Sequence, residues 1–219
     1  MLNRLFKKIW RNEKGITGLE TAIILIAFVV VAAVFAYTAL SAGLFSTQKS
    51  SEAVYAGLKE AQSTIELRGS VIATANSTGS SGDVAQITFT VANVLGGEAI
   101  DFTAPTAASG NTGLADSASN NVVVMNYVDQ NQRETDLYWT KTAIGKNDGD
   151  NLLESNETFE ITIGSDTAGS GAGNLIDALE TEDLSVNKQF TIEVKPPVGA
   201  VLQIERTTPP YIDTIMNLR

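Results

Sequence analysis

The 219-residue chain contains no cysteine and no histidine. Without cysteine, no disulfide can hold an exported domain together, so its stability has to come from packing, bound ions or assembly. Without histidine, Ser-His-Asp and Cys-His catalysis are excluded, as is every zinc site built on His or Cys. Ser-Lys and carboxylate mechanisms survive formally, but no motif supports them. Positive charge is scarce as well. Fifteen Lys and Arg stand against 25 Asp and Glu, for a formal net charge of −10. Such a surface is repelled by nucleic-acid phosphates, and it suits solubility outside a cell and in salt.

The most telling absence is local. From Thr21 to Gln48 no residue is charged. A helix of that length spans roughly 42 Å, more than the ~30 Å hydrocarbon core of a bilayer. Ahead of it lies a basic head with Arg4, Lys7, Lys8, Arg11 and Lys14. The apolar run is too long for a secretory signal peptide, whose apolar stretch covers about 7–15 residues before its cleavage site. Two readings follow. One is an uncleaved membrane anchor oriented by its basic head. The other is a precursor cut ahead of the run, between Lys14-Gly15 and Ile16. Glu20 favours the second, because a carboxylate in hydrocarbon costs roughly 2.5–3.5 kcal/mol and needs a partner. A new ammonium on Ile16 of a neighbouring copy would supply one; the alternative is a Glu20 that reaches headgroup water.

The segment from Lys14-Gly15 through Ile16-Thr-Gly-Leu-Glu-Thr-Ala-Ile-Ile-Leu-Ile-Ala-Phe to Tyr37 resembles the archaellins, the archaeal flagellins built like type IV pilins. The resemblance is dense from about Lys14 to Arg68. It returns at Gly199-Ala-Val-Leu-Gln-Ile-Glu-Arg-Thr-Thr-Pro-Pro210. It implies a class III signal peptide, residues 1–15, removed after Gly15 by a prepilin-peptidase-like enzyme. Removal would take away five basic residues and one acidic residue, and the formal charge would fall from −10 to −14. It also implies an α+β architecture: a helix over 16–68 that serves as transient membrane span and filament core, then an outer immunoglobulin-like β-sandwich over 69–219.

The residues support that division. Small residues recur four apart at Gly18 and Ala22, Ala32 and Ala36, and Ala39 and Gly43, a spacing that lets helices approach closely. Alanine as a plain helix former is the simpler alternative. From Lys49 to Arg68 the pattern becomes amphipathic, with Val54, Leu58, Ala61 and Ile65 three or four apart, and Arg68-Gly69 is the expected helix stop. Strands are expected at 70–75, 85–94, 99–103, 121–129, 137–142, 158–163, 189–194 and 201–206. They are separated by Gly, Ser, Asn and Asp clusters at 76–83, 108–121, 145–151 and 164–174. Pro196-Pro197 and Pro209-Pro210 are expected to bound edge strands.

Three features invite a site. Asp148 and Asp150, with Glu154 after them, offer part of an oxygen shell for a hard cation. The spacing alone favours a solvated turn. Because archaellins carry a similar stretch and some bind a metal, the resemblance puts a structural Ca²⁺ or other divalent ion beside that reading, with no cofactor required for function. Asn76-Ser-Thr78 and Asn156-Glu-Thr158 are N-glycosylation sequons, a short pattern with many chance matches. Tyr138-Trp139 and Phe159 are expected in the sandwich core, with a sugar-binding platform as the alternative.

The resulting expectation is a non-enzymatic subunit of an extracellular motility filament. Its partners would be copies of itself, related archaellins, the signal peptidase, the motor and assembly proteins and, transiently, a membrane. The rival readings are an adhesive type IV pilin, a membrane-anchored carbohydrate-binding domain and, least supported by the residues, an anchored hydrolase.

Overall fold

No proline interrupts residues 13–62, and they form one helix, α1 (Glu13–Gln62). The computed structural model describes residues 13–94, 97–164 and 172–218, with the side chains of 13–17 and 62 outside the description. The chain divides into two units, Met1–Tyr55 and Ala56–Arg219. In the first unit α1 is apolar on every side, so no face is set apart for a core. Every described side chain from Gly18 to Tyr55 is exposed. The span Gly18–Ala61 is long and apolar enough to cross a membrane.

The helix ends at Gln62 rather than at the expected Arg68-Gly69. At its end the Lys59 carbonyl accepts both the backbone N–H and the hydroxyl of Ser63 at 3.0 Å, and the Ala61 carbonyl accepts the Thr64 hydroxyl at 2.9 Å. Strand β1 (Ile65–Ser77) begins at once. Gly69, at φ +81°, is not a helix stop but sits at a bulge, where the pairing of β1 with the next strand shifts between Arg68 and Ile72.

Ten further strands follow: β2 (Asp83–Asn93), β3 (Ile100–Asp101), β4 (Val124–Asp129), β5 (Arg133–Glu134), β6 (Trp139–Ala143), β7 (Leu152–Leu153), β8 (Thr158–Ile163), β9 (Gln189–Lys195), β10 (Leu202–Thr207) and β11 (Ile215–Leu218). All eight expected strands are present, with ends shifted by a few residues. The two-residue strands β5 and β7 and the last strand β11 were not expected. One sheet runs β11-β1-β2-β8-β6, a second β10-β9-β4-β5, and β3 pairs with β7; every pairing is antiparallel. Pro196-Pro197 ends β9, which is an inner strand, and Pro209-Pro210 follows β10, which is an edge. A short helix, α2 (Leu175–Ala178), is opened by a capping box between Asn174 and Asp177.

Alternation along the strands aims one face of each sheet at a shared core. Phe89, Phe159, Ile161 and Trp139 come from the five-stranded sheet, and Met125, Tyr127, Phe190 and Ile192 from the four-stranded one. Phe102, from the loop after β3, stands edge-on to Trp139 at 5.9 Å and to Phe159 at 6.0 Å, while Tyr127 stacks on Phe190 at 5.9 Å. Trp139 and Phe159 are therefore core, as expected, and Tyr138 is half-buried beside them. The α+β sandwich is an observed feature of the chain.

Gly199 closes the unit at the exit of α1. Its backbone is at φ +104°, and a Cβ there would lie 1.7 Å from the carbonyl oxygen of Ser63, which is itself buried. Gly199→Ala is expected to cost more than the ~1–3 kcal/mol of a left-handed alanine, because Ser63 must also move. Thermal unfolding of the full chain in detergent micelles reads this directly. An unchanged midpoint would show that the 199 loop is free to retreat.

Candidate assembly and modification sites

The expected assembly residues lie on α1. Gly18, Glu20, Ala22, Ala32 and Ala36 are all exposed, and nothing lies within 4 Å of a Cβ built at Gly18 or Gly43. The surface is therefore open to a close-packed neighbour. Lys14, Gly15 and Ile16 fall in the first turns of α1, and their side chains are outside the described residues. Polar groups on this helix are handled internally where they are recorded. Thr38 Oγ1 donates to the Phe35 carbonyl at 2.9 Å, and Thr47 Oγ1 to that of Gly43 at 2.6 Å. A hydroxyl bonded in this way enters an apolar environment without an open donor. Charge resumes only with the exposed Lys49–Glu52 pair, 2.6 Å apart.

The acidic turn is held by carboxylates that accept backbone N–H groups. Asp148 Oδ1 accepts the backbone N–H of Asp150 at 3.2 Å, and Asp150 Oδ1 that of Leu152 at 2.7 Å. The buried Glu157 accepts the N–H groups of Asp148 at 3.2 Å and Glu154 at 3.3 Å. Lys141 Nζ donates to the Asp150 carbonyl at 2.7 Å and lies 4.3 Å from the centre of the Phe159 ring. The carboxylates thus hold their own turn, and the nearby positive charge is an ammonium. Among the described residues, no three carboxylates converge as metal ligands. Asp148 and Asp150 each give one carboxylate oxygen, Oδ1, to the backbone of the turn.

Both sequons are at the surface. Asn76 is exposed near the end of β1, but its Nδ2 donates to Asp83 Oδ2 at 3.2 Å, so the atom that would carry a sugar is engaged. Asn156 is exposed in the turn before β8, with its backbone at φ +73° and no bond recorded to its side chain. Its neighbour Glu157 is buried, but Asn156 is not, so packing against the acidic turn does not cover it.

One polar cluster escaped the sequence reading. Asp129, at the end of β4, accepts the N–H groups of Asn131 at 2.7 Å and Gln132 at 2.9 Å. It also accepts the Tyr127 hydroxyl at 2.9 Å and Gln132 Nε2 at 3.3 Å. Gln132 Oε1 in turn receives the N–H groups of Thr181 at 2.9 Å and Glu182 at 3.4 Å, which ties the β4–β5 hairpin to the segment after α2. Burial pushes the Asp129 carboxyl up, but these hydrogen bonds outweigh it and hold the group below its ordinary range. Burial also pushes the Tyr127 phenol far up, so it stays a donor. An Asp two residues before Asn131 in a hairpin is a turn signal, but the reach to 181–182 has no local signature.

Comparison with known proteins agrees with this picture. The archaeal-type flagellin family profile matches residues 15–206. A probable flagellin 2 of Archaeoglobus fulgidus is 41% identical over 93% of this chain and 94% of its own. A probable flagellin 1 of Aeropyrum pernix is 35% identical over 93% and 96%. Among solved structures, the archaeal flagellum of Methanospirillum hungatei matches with a TM-score of 0.59 and 29% identity, covering 92% of this chain and 98% of the other.

Two outcomes are expected. A lowered carboxyl pKa contributes stability above the ordinary Asp value of about 3.9, and that part is lost as pH falls through the lower folded value. Asp129→Asn should therefore cost about 1 kcal/mol near neutral pH, at the low end for charged hydrogen bonds because the group is partly solvated. The difference from the parent should vanish in acid; a constant gap at all pH values would mean that packing, not charge, is lost. Millimolar Ca²⁺ should move the melting midpoint of neither the parent nor Asp148→Ala beyond about 1 °C, since only a ligand that prefers the folded state raises it. A calcium-dependent rise abolished by Asp148→Ala would restore the ion.

Proposed function

The chain belongs to the archaeal-type flagellin family, and from that premise we infer how its parts serve a filament. It is a structural, non-enzymatic archaellin. Copies polymerise into an extracellular filament at the cell surface that drives swimming, with related archaellins as partners. The observation that carries this reading is α1 itself: from Thr21 to Gln48 its side chains are exposed and none is charged, so the chain can persist only in lipid or among other copies of that helix.

The finer steps rest on that reading. A prepilin-peptidase-like enzyme cuts after Gly15, and the family match starting at this same residue supports the position. The membrane-inserted precursor then leaves the bilayer. Lipid tails are as apolar as leucine, so the hydrophobic effect does not drive this step; close approach at Gly18, Ala22, Ala32 and Ala36 has to favour it. Glu20 pairs with the new amine of Ile16 on a neighbour, which neutralises two charges in an apolar bundle. Assembly and motor proteins work on the product. Exposure supports Asn156 as a glycan acceptor, and Asn76 once its bond to Asp83 is released.

Edman sequencing of subunits from sheared filaments should begin at Ile16. A start at Met1 would leave an anchored surface protein. Glu20→Gln should reduce filament yield at least tenfold, with the precursor still in the membrane; normal yield would remove the pairing with Ile16.

A further inference from the structure

The outward face of the five-stranded sheet has an unusual chemistry for this chain. Strand register places Asn217, Ile72, Thr88, Thr162 and Thr140 in one row across all five strands. The row runs roughly 19 Å at the usual strand spacing. The rows beside it are similar. Ile215 pairs with Thr74, which pairs with Gln86, a residue the chain itself buries, so the open part of that row ends at Thr74; on the other side Thr90 pairs with Glu160, which pairs with Thr142. Ile215 is 67% exposed and Ile72 39%, next to one another on the diagonal.

Outward residues of an antiparallel sheet are normally polar, so threonine alone means little. The missing charge means more. Among the outward residues of these five strands, the charged ones are Glu66, Arg68, Asp83 and Glu160. Glu66 and Arg68 are paired at 2.7 Å, and Asp83 is held at the strand end by Asn76 and Ser77. Among the described residues, Asp83, at the strand end, and Glu160 are the two of these without an ion pair, and Glu160 alone lies within the face. The outward face of the other sheet is unlike this: Glu193 lies 3.4 Å from Arg133 and 2.8 Å from Lys195, and Glu205 accepts from Gln189 at 2.7 Å.

Copies of a chain with net charge −10 repel one another, and more so once the basic head is gone. Two such domains meet at least electrostatic cost where the contacting surface carries little of that charge or pairs it with the opposite sign, and this face takes the first route. The threonine face meets that condition, and its methyl groups with Ile72 and Ile215 provide apolar area to bury. We propose that this face, from Ile215 through Ile72, Thr88 and Thr162 to Thr140, is a surface by which the β domain of one copy packs against a second copy of the chain in the filament. The inference rests on the filament reading. A filament grows by contacts that do not close, so the opposing surface of the neighbour is a different one.

The absence of cysteine supplies a clean test. Single variants Thr140→Cys and Ile215→Cys of the full chain are produced in cells, with Thr191→Cys, on the outward side of β9, as reference. A maleimide is applied to sheared filaments and to the detergent-extracted membrane precursor. Thr140→Cys and Ile215→Cys are expected to label at least tenfold more slowly in filaments than in the precursor, with Thr191→Cys slowed much less. Equal labelling in both states would overturn the face while leaving the filament reading intact. Slow labelling in both states would also overturn it, because something on the single chain would then cover the face. Absence of the parent chain from sheared filaments would overturn both. A further variant, Thr88→Asp, adds one negative charge at the centre of the row. It should cut filament yield while the precursor still accumulates; full yield would count against the face.

Discussion

Everything in this protein depends on a helix the chain cannot cover. The large side chains of α1 would each gain about 1.5–3 kcal/mol from burial, on the order of tens of kcal/mol in all, so water is excluded as its lasting surroundings. Lipid and other copies satisfy that demand about equally. In the proposed assembly the choice between them falls to smaller effects: how closely backbones approach at Gly18, Ala22, Ala32 and Ala36, and whether Glu20 finds an opposite charge. The apolar run makes the chain obligately social, and a few small or charged residues decide the company.

The β unit has the opposite task, to be stable without covalent staples. Aromatic residues do much of this. Phe102 enters from a loop to wedge against Trp139 and Phe159, one ring bridging segments far apart in sequence. The loops are held by carboxylates accepting backbone N–H groups: Asp129 in the β4–β5 hairpin, and Asp148, Asp150 and Glu157 in the turns on either side of β7. An acidic composition therefore serves local structure as well as solubility. The same residues that look like cation ligands in a sequence are here occupied with the backbone.

That double use explains what the sequence made legible and what it did not. The long helix and the eight expected strands follow from one-dimensional signals, absence of charge, alternation and turn residues. The helix end does not: Leu58, Ala61 and Ile65 keep helical spacing, yet Ile65 and Leu67 are equally the first inward pair of a strand. Ser63 and Thr64 reach back to carbonyls of the last turn as the chain passes into β1, a junction with no glycine to mark it. β5 and β7 are too short for any periodicity, and β11 exists because Ile215–Leu218 finds the free edge of β1, a long-range event. Asp148 and Asp150 were legible as acidic but not as acceptors, since chemistry-bearing residues reveal their types before their partners. The small-residue spacing along α1 was readable; whether it packs against a neighbour is a property of the assembly.

The two units face the same electrostatic problem on different scales. In salt near 0.15 M, charges more than about 8 Å apart hardly feel one another. Most of the negative charge on neighbouring β domains is therefore tolerable in an assembly, but unpaired charge within a contact is not, because no salt or water remains there to screen it. The uncharged span from Thr21 to Gln48 answers that for the helices. The threonine rows answer it for the β domains, keeping the charges of this sheet at strand ends, in the Glu66–Arg68 pair, or alone at Glu160. A chain can thus carry a strongly acidic surface toward its surroundings and still polymerise, provided its charge is arranged around its contacts rather than across them.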